Sequence, residues 1–149
     1  MDKNKTCCFI GHREVLHDIR ANLTAQIEKL IIDGLANNFL VGNHGAFDSM
    51  VYSVLKELHK KYPHITYGVV LAYLPNKYIK EKYGDNTIYP DGLEFTPKRF
   101  AILKRNEWMV KNSSFMICYV YKTVGNSIKL VDMASKKGLE VINITSNNN

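Results

Sequence analysis

The sequence predicts an α/β protein: a doubly wound, mainly parallel sheet of five strands with helices on both faces. Three observations carry this expectation. Short apolar runs alternate with longer amphipathic ones along the chain, the pattern of successive βαβ units. The short runs are apolar throughout, as strands buried on both faces are. The 149 residues, 46% hydrophobic and 23% charged, suffice for one domain, 1–149, with a real core.

Thr6 to Ile10 reads as the first strand, stopped by Gly11. From Asp18 to Leu35 the apolar residues Ile19, Leu23, Ile27, Leu30 and Ile31 keep a helical period, with Gly34 near the end. Asn38 to Gly42 is the second strand, and Asp48 to Tyr62 the second helix (Met50, Val51, Val54, Leu55, Leu58), stopped by Pro63. Ile65 to Leu71 is the third strand. Tyr73 to Phe95 has no clean period and is rich in tyrosine, so it reads either as a lid over a site or as a short edge helix around Asn76–Tyr83. Thr96-Pro97 opens a helix, the hydroxyl capping it and the proline at its first position, that runs to about Asn112. Phe115 to Val120 is the fourth strand, Gly125 to Lys137 a helix ended by Gly138, and Val141 to Ile144 the fifth strand. The tail, 145–149, is polar.

Composition narrows the function. No apolar run reaches the ~18 residues of a membrane helix, and the polar start, Met1 to Lys5, is no secretory signal. The three cysteines form no disulfide framework and no metal-ligand spacing, so a reduced, cytoplasmic protein without metal or cofactor is expected. Cys7, Cys8 and Cys118 lie inside strands, where thiols are poor nucleophiles. The net charge of +6 attracts anions, nucleic acid among them. The cations are spread, with no run above two, so most read as solvated helix faces and some as an anion-attracting rim.

In a doubly wound sheet, ligands sit beyond the carboxyl ends of the strands. The first exit is Gly11-His12-Arg13, the second Gly42-Asn43-His44-Gly45-Ala46-Phe47-Asp48, and the fourth Tyr121-Lys122-Thr123-Val124-Gly125-Asn126-Ser127. Glycines ahead of helix starts let backbone N–H groups approach an anion. Asp48 reads either as the cap of its helix or as a partner for a ribose hydroxyl or a water. Arg13 reads as a phosphate ligand or a surface arginine. Absence of GxGxxG, GxxxxGK[ST] and GxSxG disfavours a dinucleotide Rossmann enzyme, a P-loop NTPase and a nucleophile-elbow hydrolase.

Cys7-Cys-Phe-Ile-Gly-His-Arg13 resembles the opening CCFTGHR of small bacterial and phage members of the SLOG superfamily, which joins the DprA proteins to the lonely-guy phosphoribohydrolases. Gly42 to Asp48 resembles its GxxxGFD loop, Tyr62 to Pro75 its third-strand segment, Arg105-Asn106 through Val110 its RNxxMV helix, and Gly125 to Ala134 its GGTxxxxxxA loop and helix. The resemblance spans about residues 5 to 144 and implies a Rossmann-like fold, a nucleotide-type ligand at the strand ends and a homodimer. It implies Arg105 as a site arginine. The acids of the lonely-guy catalytic motif are replaced by Lys129 and Leu130, which leaves Asp48 and Asp132 as substitutes.

The expectation is therefore a binder of a nucleotide or of an NAD- or ADP-ribose-type ligand, acting as sensor, sponge or carrier without turnover. Backbone at Gly11, Gly45, Gly125 and Asn126 would cradle phosphate, Arg13 and Arg105 would neutralise it, and Asp48 or Asn43 would take ribose hydroxyls. Phe47 and a tyrosine of 73–95 would stack on a base. A nucleoside-monophosphate N-glycosidase using Arg105 and Asp48 is the first alternative, and single-stranded nucleic-acid binding the second.

Overall fold

A computed structural model describes residues 1–145 of the chain. Five strands stand where apolar runs predict them: β1 (Thr6–Gly11), β2 (Asn38–Val41), β3 (Thr66–Val70), β5 (Phe115–Tyr119) and β6 (Glu140–Asn143). The helices are α1 (Arg20–Ile32), α2 (Ala46–Lys61), α3 (Lys77–Tyr83), α4 (Lys98–Lys111) and α5 (Asn126–Lys136).

The sheet has six strands rather than five, and all its pairings are parallel. The added strand is β4 (Thr87–Ile88), which pairs with the end of β3. Two residues are too few to show a period, and β4 has a partner on one side alone. The 73–95 segment is thus an edge unit: α3, capped by the Asn76 side chain accepting from the Ile79 N–H at 2.9 Å, then β4, then a 3-10 turn at Leu93–Phe95. Helix α4 also departs from expectation. Pro97 stands at its N-cap position, one residue earlier than expected, and no side chain caps it. The tail lies outside the described residues from 146 on.

The spatial order is β4-β3-β2-β1-β5-β6. The chain winds outward from β1 to β4, returns through α4, and winds the other way through β5 and β6. Right-handed crossovers then put the helices of the two halves on opposite faces. Along β1, Cys7 and Phe9 pack with α1 and α2, while Cys8 and Ile10 pack with α4 and α5. Helix α2 buries Phe47, Val51, Val54, Leu55 and Leu58, one stripe of its surface, each contributing roughly 1.5–3 kcal/mol. The three cysteines are buried, and desolvation pushes the Cys8 and Cys118 thiols up to about 12.

Candidate functional site

The winding reverses between β1 and β5, and a cleft of about 530 Å³ opens beyond their carboxyl ends. Residues from three exits and two helices line it: Gly11, His12 and Arg13 after β1, His44 and Asp48 around the start of α2, Arg105 and Asn106 on α4, and Asn126 and Ser127 at the start of α5.

Arg105 anchors the floor. It is 1% exposed. Its Nε donates to Asn106 Oδ1 at 2.7 Å, Nη1 to the Val70 carbonyl at 2.9 Å and Asn43 Oδ1 at 3.3 Å, and Nη2 to His44 Nδ1 at 3.2 Å. Among the described residues no carboxylate oxygen comes within 4 Å of it; Glu107, two residues on, points elsewhere and pairs with Lys104 at i−3, 3.4 Å away. A buried guanidinium held by neutral acceptors keeps its positive field for a ligand. Accepting from Arg105 requires His44 Nδ1 to be unprotonated. Burial first, then Arg105 and Arg13, lower the His44 pKa to about 4.

Asp48 is not the cap of α2. Gly45 holds that position, with φ of 98°, and Asp48 lies three residues in, its Oδ2 accepting the His44 N–H at 3.0 Å. Burial raises its pKa to about 6 against the lowering effects of the His44 N–H, Arg105 and Arg13.

The glycines divide by task. A Cβ on Gly11 would lie 2.2 Å from Phe47, one on Gly42 2.7 Å from Arg105, and one on Gly45 2.5 Å from the Arg13 backbone. These three make room for the protein's own groups. Gly125 differs: its φ is 108° and nothing lies within 4 Å of the Cβ position, so its face is open at the start of α5, where first-turn N–H groups lack helical partners.

Phe47 corrects one expectation. It is fully buried, stacked on Tyr119 with ring centroids 6.0 Å apart, and cannot reach a base. The absence of a side chain on Gly11 leaves the space its ring fills. Gly42, Asn43, Gly45, Ala46 and Gly125 do not line the cleft: Gly42 and Asn43 contact Arg105, and Gly45 and Ala46 join α2 to Arg13, whose carbonyl accepts the Ala46 N–H at 2.8 Å. His12 Nε2 accepts from the Tyr121 and Lys122 N–H groups at 3.1 and 3.3 Å, which ties the first exit to the fourth. Asp132 is exposed outside the cleft beside Lys129 and Lys136.

Arg99 and Glu14 lie outside the exits that the sequence marks, and Tyr121 and Lys122 belong to the fourth exit with no role expected of them; all four line the cleft. Arg99, Ile102, Leu103 and Asn106 recur at helical spacing along α4, a signal that would have placed Arg99 on the face of Asn106. The cleft thus has four cationic side chains, Arg13, Arg99, Arg105 and Lys122, against the carboxylates of Asp48 and Glu14. Among the described residues no cluster of His, Cys, Asp or Glu could hold a metal, and no helix is long and apolar enough to cross a membrane.

A parallel α/β sheet with an anion-attracting crevice at its switch point defines the Rossmann-like class. No family model matches the chain, and no curated protein matches it. Two solved structures share the fold. DNA processing protein A of Streptococcus pneumoniae superposes with a TM-score of 0.67 at 15% identity, over 93% of this chain and 50% of that one. The Helicobacter pylori protein of the same name, described for its single-stranded DNA binding mode, gives 0.64 at 14% identity, over 94% and 65%. The chain therefore shares the fold of these two proteins, and spans half to about two thirds of their length.

Proposed function

We propose that the protein binds a nucleotide, or a related phosphorylated ribose compound of the NAD or ADP-ribose type, in the β1/β5 cleft and holds it without turnover. The cationic excess of the cleft wall, with Arg105 fixed at its floor, carries this reading. A phosphate there would meet Arg105 and the start of α5 at Asn126 and Ser127. Binding without cleavage is favoured by the acids available. Lys129 and Leu130 stand where the lonely-guy acids would be, and Asp132 lies outside the cleft. That leaves Asp48, with one oxygen already engaged by the His44 N–H, and Glu14, exposed on the rim.

Thermal unfolding with 5′-AMP, ADP-ribose and NAD at millimolar concentration tests the reading. A ligand at about 100 times its Kd adds about 2.7 kcal/mol, a rise of several degrees for a domain of this size. The expected result is such a rise with at least one compound, its loss in Arg105→Met, and recovery of the compound intact. No rise with any of them overturns the reading, and released base redirects it to an N-glycosidase.

A second reading is favoured by the Helicobacter pylori structure and the charge of +6: single-stranded DNA tracks the same cationic wall. It requires oligothymidine affinity that falls steeply with salt, and a gel shift that stays blank at low salt removes it.

A further inference from the structure

A second cleft of about 520 Å³ lies beside the first, walled by Ala72, Leu74, Tyr89, Leu93 and Ala101. Tyr73 and the first turn of α4 divide the two. The Tyr73 ring stands edge-on to His44 at 6.0 Å, and its hydroxyl donates to the Lys98 carbonyl at 3.3 Å. Along α4, Lys98 and Ala101 face the second cleft while Arg99 and Ile102 face the first. One cleft is cationic, its neighbour mostly apolar with Glu94, Thr96 and Lys98 among its lining residues, and a lysine and an arginine sit at the divide.

Exposed large hydrophobics recur in this stretch of the chain: of the ten most exposed among the described residues, five fall within 73–100, Tyr73, Leu74, Tyr78, Phe95 and Phe100, and Tyr73 and Leu74 line the second cleft. Apolar side chains exposed together mark a binding surface. An aromatic, partly apolar platform next to a phosphate-attracting groove is the pairing that suits a base and its phosphate.

We infer that the second cleft is a subsite for a nucleobase joined through phosphate to the unit held in the cationic cleft, so that the ligand carries two nucleotide units. This rests on the nucleotide reading above. The shared chemistry is a planar base beyond a bridging phosphate, found both in pyrophosphate-linked dinucleotides and in a short DNA strand.

Calorimetric titration with 5′-AMP, NAD and the dinucleotide d(pTpT) tests it, on the wild type and on Leu74→Ser. Leu74 is 69% exposed, so the substitution leaves the core intact. In the wild type at least one two-unit ligand binds roughly tenfold more tightly than 5′-AMP, the scale of one stacked base. In Leu74→Ser that advantage shrinks severalfold while 5′-AMP affinity stays unchanged. An advantage confined to NAD identifies a pyrophosphate dinucleotide, and one confined to d(pTpT) identifies a strand. Two-unit ligands no tighter than 5′-AMP, or an equal loss for all three in the variant, overturn the second subsite and leave the nucleotide reading standing. Failure of all three to bind the wild type overturns both.

Discussion

The guanidinium of Arg105 lies against the α-carbon of Gly42, so closely that a methyl group there would fall 2.7 Å from Cζ and 2.9 Å from Asp48 Oδ2. The missing side chain of one residue thus places the buried charge of the other. Gly42→Ala forces the guanidinium or the carboxylate to move. We expect it to destabilise the fold by roughly 1–3 kcal/mol, the usual cost of overpacking, and to weaken nucleotide binding. Denaturant unfolding and a titration on the same sample check both. A variant of wild-type stability would show that the wall yields.

Arg105→Met separates stability from binding. It removes a desolvated cation that has no carboxylate partner within 4 Å among the described residues, and keeps apolar bulk. Apolar replacement of a buried charge is often close to neutral, although the Val70 carbonyl loses its donor. A stability change below about 2 kcal/mol with loss of at least tenfold in nucleotide affinity is expected. A large fall in stability with affinity retained would make Arg105 a structural residue alone.

Arg13 and Lys122 are exposed on the rim. Arg13→Ala and Lys122→Ala are expected to leave the melting temperature unchanged and to weaken anion binding. If a DNA strand is the ligand, each lost phosphate contact lowers the salt slope by about 0.7. Affinity measured at several salt concentrations reads this directly.

Asp48 and His44 oppose each other in pH dependence. Burial raises Asp48 from 3.8 to about 6, so the folded state binds its proton more tightly than the unfolded chain. Its contribution is present at low pH and lost as pH rises toward 6. His44 is lowered from 6.5 to about 4, so its contribution is present above 6.5 and lost as pH falls toward 4. Between pH 4 and 6 the two slopes cancel in part. Relative to wild type, Asp48→Asn should lose stability as pH falls through this window, and His44→Gln should gain it. Each slope is bounded by about 1.4 kcal/mol per pH unit, that of one proton. Parallel pH profiles for both variants and the wild type would contradict the assignment.

Much of the fold was legible because five strands are continuous apolar runs, such as Cys7 to Ile10, and because Gly11, Gly42 and Gly125 mark strand exits or a helix start. Strand β4 was not, since Thr87 and Ile88 are held by pairing with β3 rather than by any pattern of their own. At the site, residue type announced the Gly-rich exits but not the use of each glycine. Whether a missing Cβ serves a ligand or a neighbour depends on contacts across the chain, as between Gly11 and Phe47. Arg99 was hidden among evenly spread cations, and only folding brings it to the cleft beside Lys122 of the fourth exit.

A nuclear magnetic resonance titration with 5′-AMP, ADP-ribose and NAD, following the Arg105 Nε–H and the amides of Gly125 to Ser127, tests the central claim most directly. These signals are expected to move together and saturate with at least one compound. Signals that stay fixed with all three, or shifts confined to the far ends of the strands, would contradict it.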